Sequence, residues 1–133
     1  IKKHLNHENV DKPVILAVDD SPDILKMIYT VLYEKYKVYT LPQPRRLKEF
    51  LQNIKPDLFL LDYRMPSVTG LDLIPMIRSF PRHKDTPIVF LTSDGRFDII
   101  SAAVGAGVCD YILKPFDKEM LQQKIAQHIK TGK

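Results

Sequence analysis

The sequence predicts an α/β domain built on a mostly parallel sheet, and three observations carry that prediction. Apolar runs recur without polar alternation, in VILAV (14–18), DLFLL (57–61) and PIVFLTS (87–93). Such runs mark strands covered on both faces. Stretches with apolar residues at helical spacing alternate with the runs, as in βαβ units. The length of 133 residues with 44% hydrophobic residues suits one domain with a real core.

The elements follow in order. Residues 1–13 are a polar lead-in, and the domain runs over 14–130 with a short tail at 131–133. After the first strand, Ser21 can cap a helix, Pro22 suits its first position and Asp23 favours the positive end of its dipole. Ile24, Ile28, Val31 and Leu32 make the inward stripe of that helix. YKVYT (36–40) is a shorter, partly exposed strand. The spacing predicts a second helix over 44–53 with Leu47, Phe50 and Leu51 inward, its start blurred by Pro42 and Pro44. After the strand at 57–61, a helix over 70–79 carries Leu71, Ile74 and Ile77, with Pro75 straining its first turns. After the strand at 87–93 comes a helix over 95–105 with Phe97, Ile100 and Val104. CDYIL (109–113) is the last strand, and 117–130 the last helix, with Leu121, Ile125 and Ile129 inward.

Composition narrows the function. No apolar run approaches the ~20 residues of a membrane span, and the polar opening has no signal-peptide pattern. The single Cys109 cannot form an internal disulfide, so a reducing, cytoplasmic setting is expected, with Cys109 as a small core residue. The net charge of +4 is spread over Lys2-Lys3, Arg45-Arg46 and Lys130/Lys133, a solvated surface rather than a nucleic-acid interface. His4 and His7 lack partners for metal binding, and His83 and His128 are expected at the surface or its boundary.

The chemistry lies at the strand ends. Strand one ends in Asp19-Asp20, strand three in Asp62, strand four in Thr92-Ser93 and strand five in Lys114-Pro115. In parallel sheets these ends share one edge, where ligands bind. Three carboxylates there need a compensating charge, and an all-oxygen set suits a hard divalent cation, magnesium above all. Lys114 adds a positive charge and Thr92 a hydroxyl donor. Such a pocket suits a transferring phosphoryl group, with Asp62 as the nucleophile beside a metal held by Asp19 and Asp20.

VDDSP (18–22), LLDYRMPSVTGLDL (60–73), IVFLTS (88–93) and DYILKPF (110–116) occur in order and at matching spacing. In this combination the chain resembles the receiver domain of two-component response regulators over about residues 14–130. The resemblance implies a (βα)5 doubly wound, flavodoxin-like sheet of order 2-1-3-4-5. It implies Asp62 as phosphoacceptor, Asp20 as a direct metal ligand, Asp19 as a ligand mostly through water, and the Arg64 carbonyl as a third protein ligand. Thr92 and Lys114 would contact phosphoryl oxygens, the Lys114-Pro115 bond would be cis, and Tyr111 would be a switch aromatic moving with Thr92. Arg64 and Asp94 would overhang the phosphoryl group and tune its lifetime, pairing across the mouth. The implied cofactor is magnesium, with manganese as a substitute and no organic cofactor. The implied donors are a sensor histidine kinase or a histidine phosphotransfer protein. A homodimer or an effector domain would use the face formed by helix four, strand five and helix five. Neither direct nucleic-acid binding nor membrane insertion is expected of this domain.

Two other readings compete. A scaffold that has lost phosphorylation is disfavoured by the complete set Asp19, Asp20, Asp62, Thr92 and Lys114. A phosphotransferase of the haloacid-dehalogenase type needs D-x-D after the first strand, where this chain has Asp19-Asp20-Ser21, and a cap domain for which 133 residues leave no room. The expectation is therefore a signalling domain that catalyses only its own phosphorylation and dephosphorylation.

Overall fold

The computed structural model describes residues 12–129. The expected alternation is present. It runs β1 (Val14–Val18), α1 (Pro22–Leu32), β2 (Lys37–Leu41), α2 (Leu47–Leu51), β3 (Leu58–Asp62) and α3 (Gly70–Arg78). It continues with β4 (Ile88–Thr92), α4 (Phe97–Gly105), β5 (Asp110–Leu113) and α5 (Lys118–His128). The sheet is parallel throughout, in the order β2-β1-β3-β4-β5.

The strand periodicity divides the core into two layers. Leu16 and Val18 of β1, with Phe59 and Leu61 of β3, face Leu47 and Leu51 of α2, Leu73, Ile74 and Ile77 of α3 and Ala103 of α4. Ile15 and Ala17, with Leu58 and Leu60, face Leu25, Ile28 and Leu32 of α1 and Leu121 and Ile125 of α5. β1, β3 and β4 therefore have no solvent face, which is why their sequences do not alternate.

Local chemistry sets the helix starts above the sheet. Ser21 caps α1, its side chain accepting from the Ile24 N–H at 3.3 Å. Thr69 and Asp72 form a capping box at α3. Gly70 is required at the first position of α3, because a Cβ there would lie 2.9 Å from the Phe90 ring and 3.1 Å from the Asp62 carbonyl oxygen. The Asp62 backbone and α3 thus meet at a distance only glycine permits.

Several expectations are corrected. The helix expected over 44–53 is a single 3-10 turn, Pro44–Arg46, followed by the five-residue α2, and neither start has a side-chain cap to hold a longer helix. The helix expected over 70–79 is present as α3, Gly70–Arg78, with Pro75 inside it. The stripe of α3 is shifted, with Leu73 buried and Leu71 only partly so. Among the side chains of α4 that the structure describes, which do not include Phe97, Ala103 is the buried one, while Val104 is 61% exposed. Cys109 is exposed, not a core residue, since it precedes an edge strand. His83 is fully buried rather than superficial: the 3-10 turn Pro81–His83 tucks it edge-on against Phe59 and Phe80. His4 and His7 lie outside the described residues.

Candidate functional site

The parallel register brings the strand ends to one edge of the sheet, as the sequence required. Asp62 is the last residue of β3, opposite Leu91 of β4, and Thr92 is the last residue of β4, opposite Leu113 of β5. Asp19 directly follows β1, its N–H held by the Leu41 carbonyl of β2 at 3.3 Å. Lys114 directly follows β5, its N–H held by the Thr92 carbonyl at 2.7 Å. Its bond to Pro115 is cis.

One carboxylate oxygen from each of Asp19, Asp20 and Asp62 lies within 4.8 Å of the others. Asp19 and Asp62 are buried and Asp20 is exposed, so the cluster opens to solvent on the Asp20 side. The Lys114 ammonium bridges the two buried members, donating to Asp19 Oδ2 at 3.0 Å and to Asp62 Oδ1 at 3.1 Å. The other Asp19 oxygen accepts the Ser21 N–H at 2.9 Å, which fixes that carboxylate.

One lysine cannot neutralise three carboxylates, and Asp62 carries the consequence. Burial pushes its carboxyl up to about 6, the charge of Asp19 and a hydrogen bond with Asp20 push the same way, and Lys114 opposes them. On Lys114, burial alone would favour the neutral amine, but the two aspartates outweigh it and hold the ammonium above its ordinary value. An all-oxygen, acid-rich and partly open set of this kind fits a hard divalent cation.

The other expected residues surround this cluster without all joining it. Thr92 is buried, but its hydroxyl turns into its own loop, accepting the Asp94 N–H at 3.0 Å and donating to the Asp94 carbonyl at 3.3 Å. Tyr111 packs on the α2–α4 side of the core, with the Lys124 ammonium 5.8 Å from its ring centroid. Arg64 pairs with Asp94 across the mouth as expected, but through one 3.4 Å contact, while its guanidinium sits over the Tyr63 ring. The dominant partner of Asp94 is Arg96, which the sequence reading did not single out. Arg96 Nη2 donates to Asp94 Oδ2 at 2.8 Å and Nε reaches both oxygens at 3.0 and 3.1 Å. The one signal for it in the sequence is an arginine two residues beyond an aspartate in an Asp-Gly turn.

The profile of the response regulator receiver domain matches residues 15–126. The chemotaxis protein CheY1 of Helicobacter pylori is 31% identical over 84% of this chain and 92% of that protein. The cyclic di-GMP phosphodiesterase response regulator RpfG of Xanthomonas campestris is 34% identical over 83% of this chain, which spans 30% of that protein. The chemotaxis protein CheY4 of Vibrio cholerae superimposes with a TM-score of 0.84 at 28% identity, covering 89% of this chain and 99% of that one.

Proposed function

The chain belongs to the response regulator receiver domain family of two-component signalling, and on that premise we propose that it is a phosphorylation-dependent switch with Asp62 as the phosphoacceptor. The observation that carries the proposal is the charge imbalance at the sheet edge: two buried carboxylates and an exposed third around a single lysine. The Asp62 carboxyl is raised to about 6, so it is largely ionised and nucleophilic near neutral pH.

A carboxylate oxygen of Asp62 bonds to the phosphorus of a donor, a phosphohistidine on a sensor kinase or phosphotransfer protein, as the phosphorus–nitrogen bond breaks. The donor imidazole leaves with the bond's electron pair and takes up a proton. The new acyl phosphate places three oxygens beside Lys114, whose ammonium already reaches Asp62 at 3.1 Å. Thr92, on the adjacent strand end, donates to one of them once its hydroxyl turns out of its loop. Asp19, Asp20, Asp62 and the Arg64 carbonyl would hold magnesium or manganese, which supplies positive charge to phosphoryl oxygens. Thr92 turning away from Asp94 opens space for Tyr111 and so changes the face made by α4, β5 and α5. On that side of the molecule Val104, Leu113 and Met120 are exposed, and they offer an effector or a second copy an apolar surface.

The test is phosphate mapping after incubation with acetyl phosphate and magnesium. The expected result is one phosphate on Asp62, abolished by Asp62→Asn and by chelation. Normal uptake by Asp62→Asn, or uptake at another residue, contradicts the assignment. No uptake by the wild type would leave the scaffold reading in its place.

A further inference from the structure

The loop that leaves β4 carries a clamp in which two guanidinium groups compete for one carboxylate. Asp94 is held by Arg96 through three side-chain contacts of 2.8, 3.0 and 3.1 Å and by the Arg96 N–H at 3.1 Å. Arg64 reaches the same Oδ2 at 3.4 Å and makes no other contact with it. Charge-assisted hydrogen bonds are strong near 2.8 Å and weak near 3.4 Å, so Arg96 wins. The Arg96 hydrogen bonds hold the Asp94 carboxyl below the usual carboxylate range. Asp94 in turn binds Thr92 through its backbone N–H, so the clamp reaches a residue of the buried edge.

We propose that Arg96 is a positioning residue that sets the lifetime of the phosphoryl group on Asp62, by occupying Asp94 and leaving Arg64 free to cover the mouth. The proposal rests on Asp62 being the phosphoacceptor.

Loss of the group to water is a simple displacement. The water oxygen bonds to phosphorus as the Asp62 oxygen–phosphorus bond breaks. Asp62 recovers its carboxylate, and the water's protons end on inorganic phosphate and in solvent. A nearby carboxylate with free lone pairs can accept a hydrogen bond from that water and orient it, and small gains in orientation have large rate effects. Asp94 has no such capacity while Arg96 alone supplies both of its oxygens with donors. Arg64, joined to Asp94 by one 3.4 Å contact and otherwise resting over the Tyr63 ring, is free to turn to the phosphoryl anion and obstruct the water. Removing Arg96 reverses both conditions: Asp94 gains free lone pairs and draws Arg64 to itself. Both arginines are about two-thirds exposed, so the change appears in rate rather than in stability.

The test loads the wild type and its variants with acetyl phosphate and magnesium, removes the donor and follows phosphate release. Arg96→Ala should release phosphate several-fold faster than the wild type. Arg96→Lys, which keeps the charge but loses the two-point grip, should fall between them. Asp94→Ala/Arg96→Ala should match Asp94→Ala alone, because Arg96 acts only through that carboxylate. An unchanged rate in Arg96→Ala, or the same acceleration with and without Asp94, overturns the proposal while leaving Asp62 as acceptor. Absence of phosphate on Asp62 in the wild type overturns both.

Discussion

Asp62 and Asp110 each accept a hydrogen bond from a lysine, and their environments drive them in opposite directions. Asp110, at the start of β5, receives Lys124 at 2.9 and 3.1 Å and His128 at 2.8 Å, both from α5. Burial there acts against the charged form, but the Lys124 and His128 hydrogen bonds outweigh it and hold the carboxyl below its ordinary value. Asp62 shares its lysine with Asp19 and is raised to about 6. Both are ion-paired aspartates, Asp110 on the edge strand β5 and Asp62 at the end of β3, bonded to the lysine that follows β5. At Asp110 hydrogen-bond donors are in excess, and they serve folding by tying α5 to the sheet. At Asp62 carboxylates are in excess, and the resulting tension is relieved by added positive charge.

The largest expected effect comes from removing Lys114, the one cation bonded to the acidic edge among the described residues. Lys114→Met leaves Asp19 and Asp62 buried without a counter-charge and should cost roughly 3 kcal/mol in urea unfolding with chelator present. Magnesium should restore part of that loss. A cost below about 0.5 kcal/mol would mean that the edge is not under the tension described.

A smaller loss is expected at the other end of β5. Asp110→Asn leaves Lys124 and His128 one neutral carbonyl oxygen in place of a carboxylate and should cost about 1 kcal/mol, with no response to magnesium. A magnesium-dependent loss at this position would erase the contrast between the two aspartates.

The smallest effect separates the buried His83 from both aspartates. His83 is fully buried, its Nδ1 2.9 Å from Thr86 Oγ1, and its Nε2 has no partner among the described residues. Burial lowers its proton affinity, and Arg82, Lys55 and Arg78 add to the effect. Above about pH 6.5 the ring is neutral in both folded and unfolded chains. As the pH falls below that value the unfolded chain takes up a proton that the folded one resists, so stability declines. His83→Gln should flatten the decline between about pH 6.5 and 5, as read from urea midpoints. An identical slope in the variant would remove His83 from the acid response.

The acidic edge was legible in the sequence because its parts need no knowledge of side-chain direction. Asp19, Asp62, Thr92 and Lys114 directly end or follow strands, and a parallel sheet brings such ends together whatever the rotamers. The buried strands were legible because covering both faces leaves a run without alternation. The helix stripes were less so. α4, FDIISAAVG, is apolar around much of its circumference, and its pattern does not decide between Ala103 and Val104 for the inward position. His83 was misplaced because residue type says little about a 3-10 turn folded beneath two aromatic rings. Arg96 was missed because its grip on Asp94 depends on a rotamer of an exposed side chain, which no periodicity encodes.

The contrast between the two aspartates is tested most directly by Asp62→Asn and Asp110→Asn, unfolded side by side in urea with chelator and again with magnesium. Asp62→Asn should be more stable than the wild type in chelator, because it removes a buried carboxylate from an edge with too many, and it should lose that advantage in magnesium. Asp110→Asn should be less stable than the wild type in both. Destabilisation by Asp62→Asn in chelator, of the same sign and size as Asp110→Asn, would contradict the account.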